Sequence, residues 1–180
     1  RPEAKDAIDA LRSLGFSNIV MMTGDNRRTA ESVAAAVGVD RYYSEVLPED
    51  KANFIREEKK AGHMVIMIGD GVNDSPALSE ADAGIAINTG AAIAREIADI
   101  TISSEDLYRL VTLRKISSAL MERIHHNYRF IVLFNLMLIV LGVGGILQPT
   151  VSALLHNMST LGISLRSMTD LLDKPKEEKA

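Results

Sequence analysis

Cysteine is absent from all 180 residues, which excludes disulfides and thiolate metal ligands within this stretch and leaves the redox compartment open. An excess of basic charge is missing too. Lys and Arg total 20 against 24 Asp and Glu, giving a net charge of −4, so no general positive field invites nucleic acid. Charge of either sign is absent from residues 130–147, although charged residues make up 24% of the whole. That asymmetry predicts a soluble part followed by a membrane part. Neither an initiator Met nor a signal peptide opens the chain; Arg1-Pro2 leads directly into a helix, as expected of a segment of something longer.

What is present is concentrated in residues 64–87, MVIMIGDGVNDSPALSEADAGIAI. Residues 64–68 form an unbroken apolar run, which reads as a parallel strand covered on both faces, and the run stops at Gly69-Asp70-Gly71. Glycines flanking Asp70 let the backbone approach a ligand beyond the carboxyl end of the strand, where open α/β sheets place their sites. Asn73 and Asp74 follow, then Ser75 as the expected N-cap and Pro76 as the first helical residue. Two carboxylates and an amide therefore crowd one strand-to-helix corner, a set of hard oxygen ligands that suits Mg²⁺ together with a phosphate. Gly-Asp-Gly by itself reads equally well as an ordinary tight turn.

The rest of the first half repeats the same unit. Residues 2–14 form an amphipathic helix stopped by Gly15, and 18–22 a strand ending in Thr23-Gly24-Asp25-Asn26. A helix over 27–37 follows, then a weaker strand over 42–46 and a charged helix that opens at Leu47-Pro48-Glu49-Asp50-Lys51 and runs to about Ala61. Beyond the 64–87 stretch, 91–98 reads as helix and 100–102 as a last strand. Strands alternating with helices at this spacing predict an α/β fold with a doubly wound parallel sheet, its loops aligned at one edge.

From Asp106 the pattern changes to one long helix. Residues 107–128 are amphipathic and basic, with Arg109, Arg114, Lys115 and Arg123, and they run into the charge-free stretch 130–147. Gln148-Pro149-Thr150 turns the chain, and 151–165 returns as a second, more polar span closed by Arg166. Basic residues flank both open ends of this two-helix transmembrane hairpin and none sits at its tip, which predicts cytoplasmic ends. The expected organisation is residues 1–105 as the sheet domain, 106–129 as a stalk helix, 130–168 as two membrane helices and 169–180 as a cytoplasmic tail.

Three polar loops fall at one edge of the expected sheet: Thr23-Gly24-Asp25, Lys51, and the corner from Asp70 to Asp74. Phosphoryl transfer is mostly positioning and charge neutralisation, needing backbone amides, a hydroxyl, a lysine and a carboxylate-held Mg²⁺ around one point. Singly, TGDN reads as a capping turn and Lys51 as solvated surface. In order, TGDN, PEDK and GDGVND resemble the phosphorylation domain of the P-type ATPases, ion pumps of the haloacid-dehalogenase-like superfamily, and the resemblance runs from Arg1 through the hairpin. It implies that Asp70 ligates Mg²⁺ with support from Asp74. It further implies that Asn73 hydrogen-bonds the phosphoryl group, Thr23 and the Gly24 amide hold its oxygens, Lys51 neutralises its charge, and Asp25 orients the loop and the nucleotide. The family's nucleophilic aspartate lies in a DKTGT motif, and no such motif occurs here. The nucleotide-binding domain, the TGE-bearing actuator domain and the earlier membrane helices are also absent, so this segment alone is expected not to hydrolyse ATP.

Two spans after the phosphorylation domain resemble the heavy-metal-transporting (CPx-type) group, whereas calcium, proton and sodium/potassium pumps have six. His156-Asn157-Met158-Ser159-Thr160 is similar in position to the HDGST-like and HEGGT-like runs of zinc/cadmium and cobalt members, with Asn157 where those carry an acidic residue. Copper-type pumps pair Tyr-Asn in the first span with Met and Ser in the second, echoed here by Phe134-Asn135 and Met158-Ser159. His156, Asn157, Ser159 and Asn135 are thus the candidates for a transported-ion path, and neutral imidazole suits a zinc- or cadmium-like ion. The expected setting is a bacterial plasma membrane, with ATP, a divalent heavy-metal cation, the lipid bilayer and the remainder of the pump as partners. Two other readings stay open: a membrane-tethered phosphatase of the same superfamily, and a non-catalytic pump fragment acting as a regulatory partner.

Overall fold

Short apolar runs set between amphipathic helices give the first half its form. A computed structural model describes residues 3–70, 73–87, 96–102 and 107–172. The elements in order are α1 (Glu3–Ser13), β1 (Val20–Met22), α2 (Arg27–Val37), β2 (Arg41–Tyr43), α3 (Pro48–Lys60), β3 (Ile66–Gly69), α4 (Ser75–Glu80), β4 (Ala83–Ile87), β5 (Ile100–Ile102), α5 (Tyr108–Val143) and α6 (Pro149–Ser167). They divide into two units, Arg1–Thr112 and Leu113–Ala180. The helix expected over 91–98 lies mostly outside the described residues, as does the tail from 173.

Every strand pairing is parallel, as the alternation of strands and helices predicts. The strands nonetheless form two sheets rather than one: β1 with β2, and β3-β4-β5 in that order. Among the described residues β1 and β3 each have a single strand partner, so each keeps an open backbone edge. Coverage on both faces of β3 is not observed. Its exposure alternates, with Ile66 and Ile68 42% and 39% exposed. The strand expected over 42–46 shrinks to Arg41–Tyr43, because Glu45 takes a left-handed φ of 55° and its N–H turns to the Asp25 carbonyl, 2.9 Å away.

Acidic residues latch the amino-terminal ends of these ladders. Asp40, just before β2, accepts the Ile19 N–H at 2.7 Å, and Asp82, just before β4, accepts the Val65 N–H at 2.8 Å. Asp99, just before β5, accepts from Gly84 at 2.8 Å. In each case the carboxylate entering one strand takes up a backbone donor at the start of its neighbour, a group that the ladder itself leaves unpaired there. Small residues make up much of the core: Ala30, Ala34, Ala52 and Ala77 are buried, as are Ile55, Leu78 and Ile85. At Gly84 an added Cβ would sit 2.6 Å from the Leu78 carbonyl oxygen, so only glycine admits α4 this close to β4.

In the second unit α5 stops at Val143, short of the expected Leu147. Gly145 adopts φ +71°, and the N–H groups of Ile146 and Leu147 bond back to the Leu141 carbonyl, closing the helix four residues early. Pro149 then opens α6 at its first position. α6 runs antiparallel to α5, since Asn135 meets His156 near one end while Asn127 and Arg123 meet Ser167 and Thr169 near the other. Arg123 donates to the Ser167 carbonyl at 3.4 Å, one of the acceptors that the end of α6 leaves free, and to the Thr169 and Asp170 carbonyls just beyond it at 2.6 and 2.8 Å. Among the described residues α5 alone is long and apolar enough to cross a membrane, and it is largely exposed, with Leu133, Ile139 and Val140 each more than half accessible.

Candidate phosphoryl-transfer site

The loop after β1 is held by its own side chains. The Thr23 hydroxyl donates to the Asp25 carboxylate at 3.0 Å and accepts from the Asp25 N–H at 3.1 Å, while Asn26 caps α2 by accepting from the Thr29 N–H at 3.0 Å. Backbone bonds fasten this turn to the segment after β2: Thr23 N–H to the Tyr43 carbonyl and Val46 N–H to the Thr23 carbonyl, both 3.0 Å. That segment leads straight into α3, whose first turn is set by Pro48 and by the Asp50 carboxylate accepting the Leu47 N–H at 3.2 Å. Lys51 stands in this turn. A cation there opposes the helix dipole, and what it gains instead is a carboxylate from another corner.

That carboxylate is Asp74. The Lys51 ammonium lies 2.7 Å from Asp74 Oδ1, and the two side chains are only 13% and 12% exposed. Asp74, rather than the expected Ser75, is the N-cap of α4; it makes no side-chain capping bond, because its carboxylate is committed to Lys51. Its other oxygen lies against Gly69, where an added Cβ would be 2.5 Å from Asp74 Oδ2. Gly69 therefore makes room for Asp74 itself, whereas the sequence suggested room for a ligand. Asp70 and Asn73 are exposed at the same corner, immediately beyond β3.

The three corners are thus joined by a continuous series of contacts, from Thr23 through Val46 and α3 to Lys51, and from Lys51 to Asp74 and Gly69. Gly24 is exposed within the first of them. The set offers one hydroxyl, one ammonium, the Asn73 amide and three carboxylates, of which Asp25 is engaged by Thr23. Magnesium keeps several waters and takes one or two carboxylates plus phosphate oxygens, so Asp70 and Asp74 fit that ion. Among the described residues no three His, Asp or Glu side chains gather.

The candidates in the second unit meet only in part. His156 Nδ1 and Asn135 Oδ1 are 2.8 Å apart, and Asn157 lines the same groove as both. The Ser159 and Thr160 hydroxyls instead donate back to the His156 carbonyl at 2.8 and 3.1 Å, a common way for hydroxyls to settle inside a helix. Sequence reasoning missed the Asp40, Asp82 and Asp99 latches and the Arg123 cap. For the latches a signal existed: each aspartate stands immediately before a strand.

Known proteins resemble this chain in sequence and in fold. Residues 1–82 match the family model of haloacid dehalogenase-like hydrolases. Over 168 residues, 93% of this chain and 23% of the relative, the sequence is 40% identical to a manganese-exporting P-type ATPase of Mycobacterium leprae. It is 38% identical over 174 residues to copper-transporting ATPase 1 of Mus musculus, covering 93% of this chain and 12% of that protein. The crystal structure of a zinc-transporting PIB-type ATPase in its E2.Pi state superposes with a TM-score of 0.85 at 30% identity, over 93% of this chain and 27% of that one. The chain spans about a quarter or less of the length of these relatives. By sequence and by fold together, its homologues are heavy-metal P-type ATPases, and its first 82 residues match the haloacid dehalogenase-like hydrolases.

Proposed function

We propose that this chain is the C-terminal segment of an ATP-driven exporter of a divalent heavy-metal cation, working through an aspartyl-phosphate whose nucleophilic aspartate lies outside these 180 residues. The observation that carries the reading is the Lys51–Asp74 pair seated against Gly69, one step from Asp70 and bonded through α3 to the Thr23 turn. In this reading Thr23 and the Gly24 amide hold phosphoryl oxygens, Asn73 adds a hydrogen bond, Lys51 offsets the charge and Asp25 keeps the Thr23 turn in place beside the nucleotide. Asp70 and Asp74 would hold Mg²⁺, which supplies charge neutralisation at the phosphoryl group. The open edges of β1 and β3 offer pairing sites for a strand that delivers the missing aspartate between the Thr23 and Asp70 corners.

The second unit supports the choice of cargo. In this reading α5 and α6 form two membrane spans, both open ends cytoplasmic, with His156, Asn157, Ser159 and Asn135 on the ion path. Imidazole nitrogen favours a borderline ion such as zinc or cadmium over manganese, which prefers carboxylates, or copper(I), which prefers sulfur. The test is metal-stimulated ATP hydrolysis by the full-length protein with zinc, cadmium, manganese and copper(I) compared. Stimulation strongest with zinc or cadmium is expected and should disappear in Lys51→Ala. Stimulation by manganese or copper alone would overturn the choice of cargo, and undiminished turnover in Lys51→Ala would overturn the site.

A further inference from the structure

Asn135 and His156 meet across α5 and α6 with Asn135 Oδ1 2.8 Å from ring Nδ1. An amide oxygen only accepts, so this contact is a hydrogen bond when ring Nδ1 carries the proton, the tautomer whose lone pair is on Nε2. Both residues line an open groove of about 760 Å³, together with Leu138, Gly142, Ser152 and Asn157. Among the described residues no ionisable side chain other than His156 lines it. The hydroxyls nearest in sequence do not compete for the ring, because Ser159 and Thr160 both donate to the His156 backbone carbonyl. One ring nitrogen is therefore spoken for and the other is left to bind.

We infer that Asn135 is a positioning residue: it fixes His156 as the Nδ1–H tautomer, so that Nε2 is the atom presented to a borderline divalent cation in the groove. The inference rests on the reading of His156 as part of the ion path. A partner on the far nitrogen orients a ligating imidazole and raises its basicity, and its loss typically costs about 10- to 100-fold in metal affinity.

The test uses the full-length protein, zinc ion as the probe, and equilibrium zinc binding together with the zinc concentration for half-maximal ATPase stimulation. Asn135→Leu is expected to weaken both by about 10- to 100-fold. Asn135→Asp, which keeps an acceptor for the Nδ1 proton, is expected to restore them. If His156→Ala binds and responds to zinc like the unsubstituted protein, the ion-path reading fails and this inference goes with it. If His156→Ala loses zinc while Asn135→Leu keeps it, the inference alone is overturned. Should Asn135→Leu not fold, ¹⁵N chemical shifts of the histidine ring in the unsubstituted, zinc-free protein decide. A proton on Nδ1 supports the assignment, and a proton on Nε2 overturns it.

Discussion

Gly69 lacks a side chain because Asp74 occupies the space. A methyl group there would sit 2.5 Å from Asp74 Oδ2 and 2.9 Å from its Cγ, and Asp74 cannot retreat without giving up Lys51. Gly69→Ala should therefore do two things at once. Overpacking of this kind costs about 1–3 kcal/mol, which thermal unfolding of the full-length protein would register, and displacement of Asp74 should depress phosphoenzyme formation as well. A variant as stable and as active as the parent would show that the crowding is relieved elsewhere. The roles of Asp70 and Lys51 were suggested by their neighbours in the sequence. That Lys51 and Asp74 form a largely buried ion pair, and that Asp74 takes the capping position from Ser75, was not: a contact 23 residues apart leaves no periodic mark.

Among the elements, the parallel ladders depend on carboxylates at their amino-terminal ends. The backbone N–H of Ile19 holds the Asp40 carboxyl below the usual carboxylate range, helped by the Arg12 guanidinium 2.8 Å away. For Asp82 the Val65 N–H acts first, and the Lys59 ammonium at 3.2 Å adds to it. A carboxyl whose pKa is lower folded than unfolded binds fewer protons in the native state, so stability rises with pH across the interval between the two values. The contribution is complete above the ordinary carboxylate value of about 4 and is lost as pH falls through the lower, folded one. Asp40→Asn and Asp82→Asn should each flatten the acid limb of a stability–pH curve and leave its neutral region nearly flat. An unchanged acid limb in both would show that the latches do not carry the acid sensitivity. Strand and helix order was legible here because each strand is a compact apolar run with a turn signal behind it. Boundaries were less so: Glu45 cut β2 short and Gly145 cut α5 short, both through left-handed backbone set by local bonding rather than by hydrophobic pattern.

For the molecule as a whole, composition alone separated a charged half from an apolar one, and the two units divide within α5, between Thr112 and Leu113. The parallel character of the sheet was legible, but its division in two was not. Nothing in 180 residues marks which neighbour a strand lacks. The central claim is that three distant turns serve one magnesium-dependent phosphoryl group on an aspartate supplied from elsewhere in the protein. The most direct measurement is the amount of acid-stable, hydroxylamine-sensitive phosphoenzyme formed from γ-labelled ATP and Mg²⁺ by the full-length protein carrying Asp70→Ala. The account predicts none above background in a folded variant; labelling at the parent's level would contradict it.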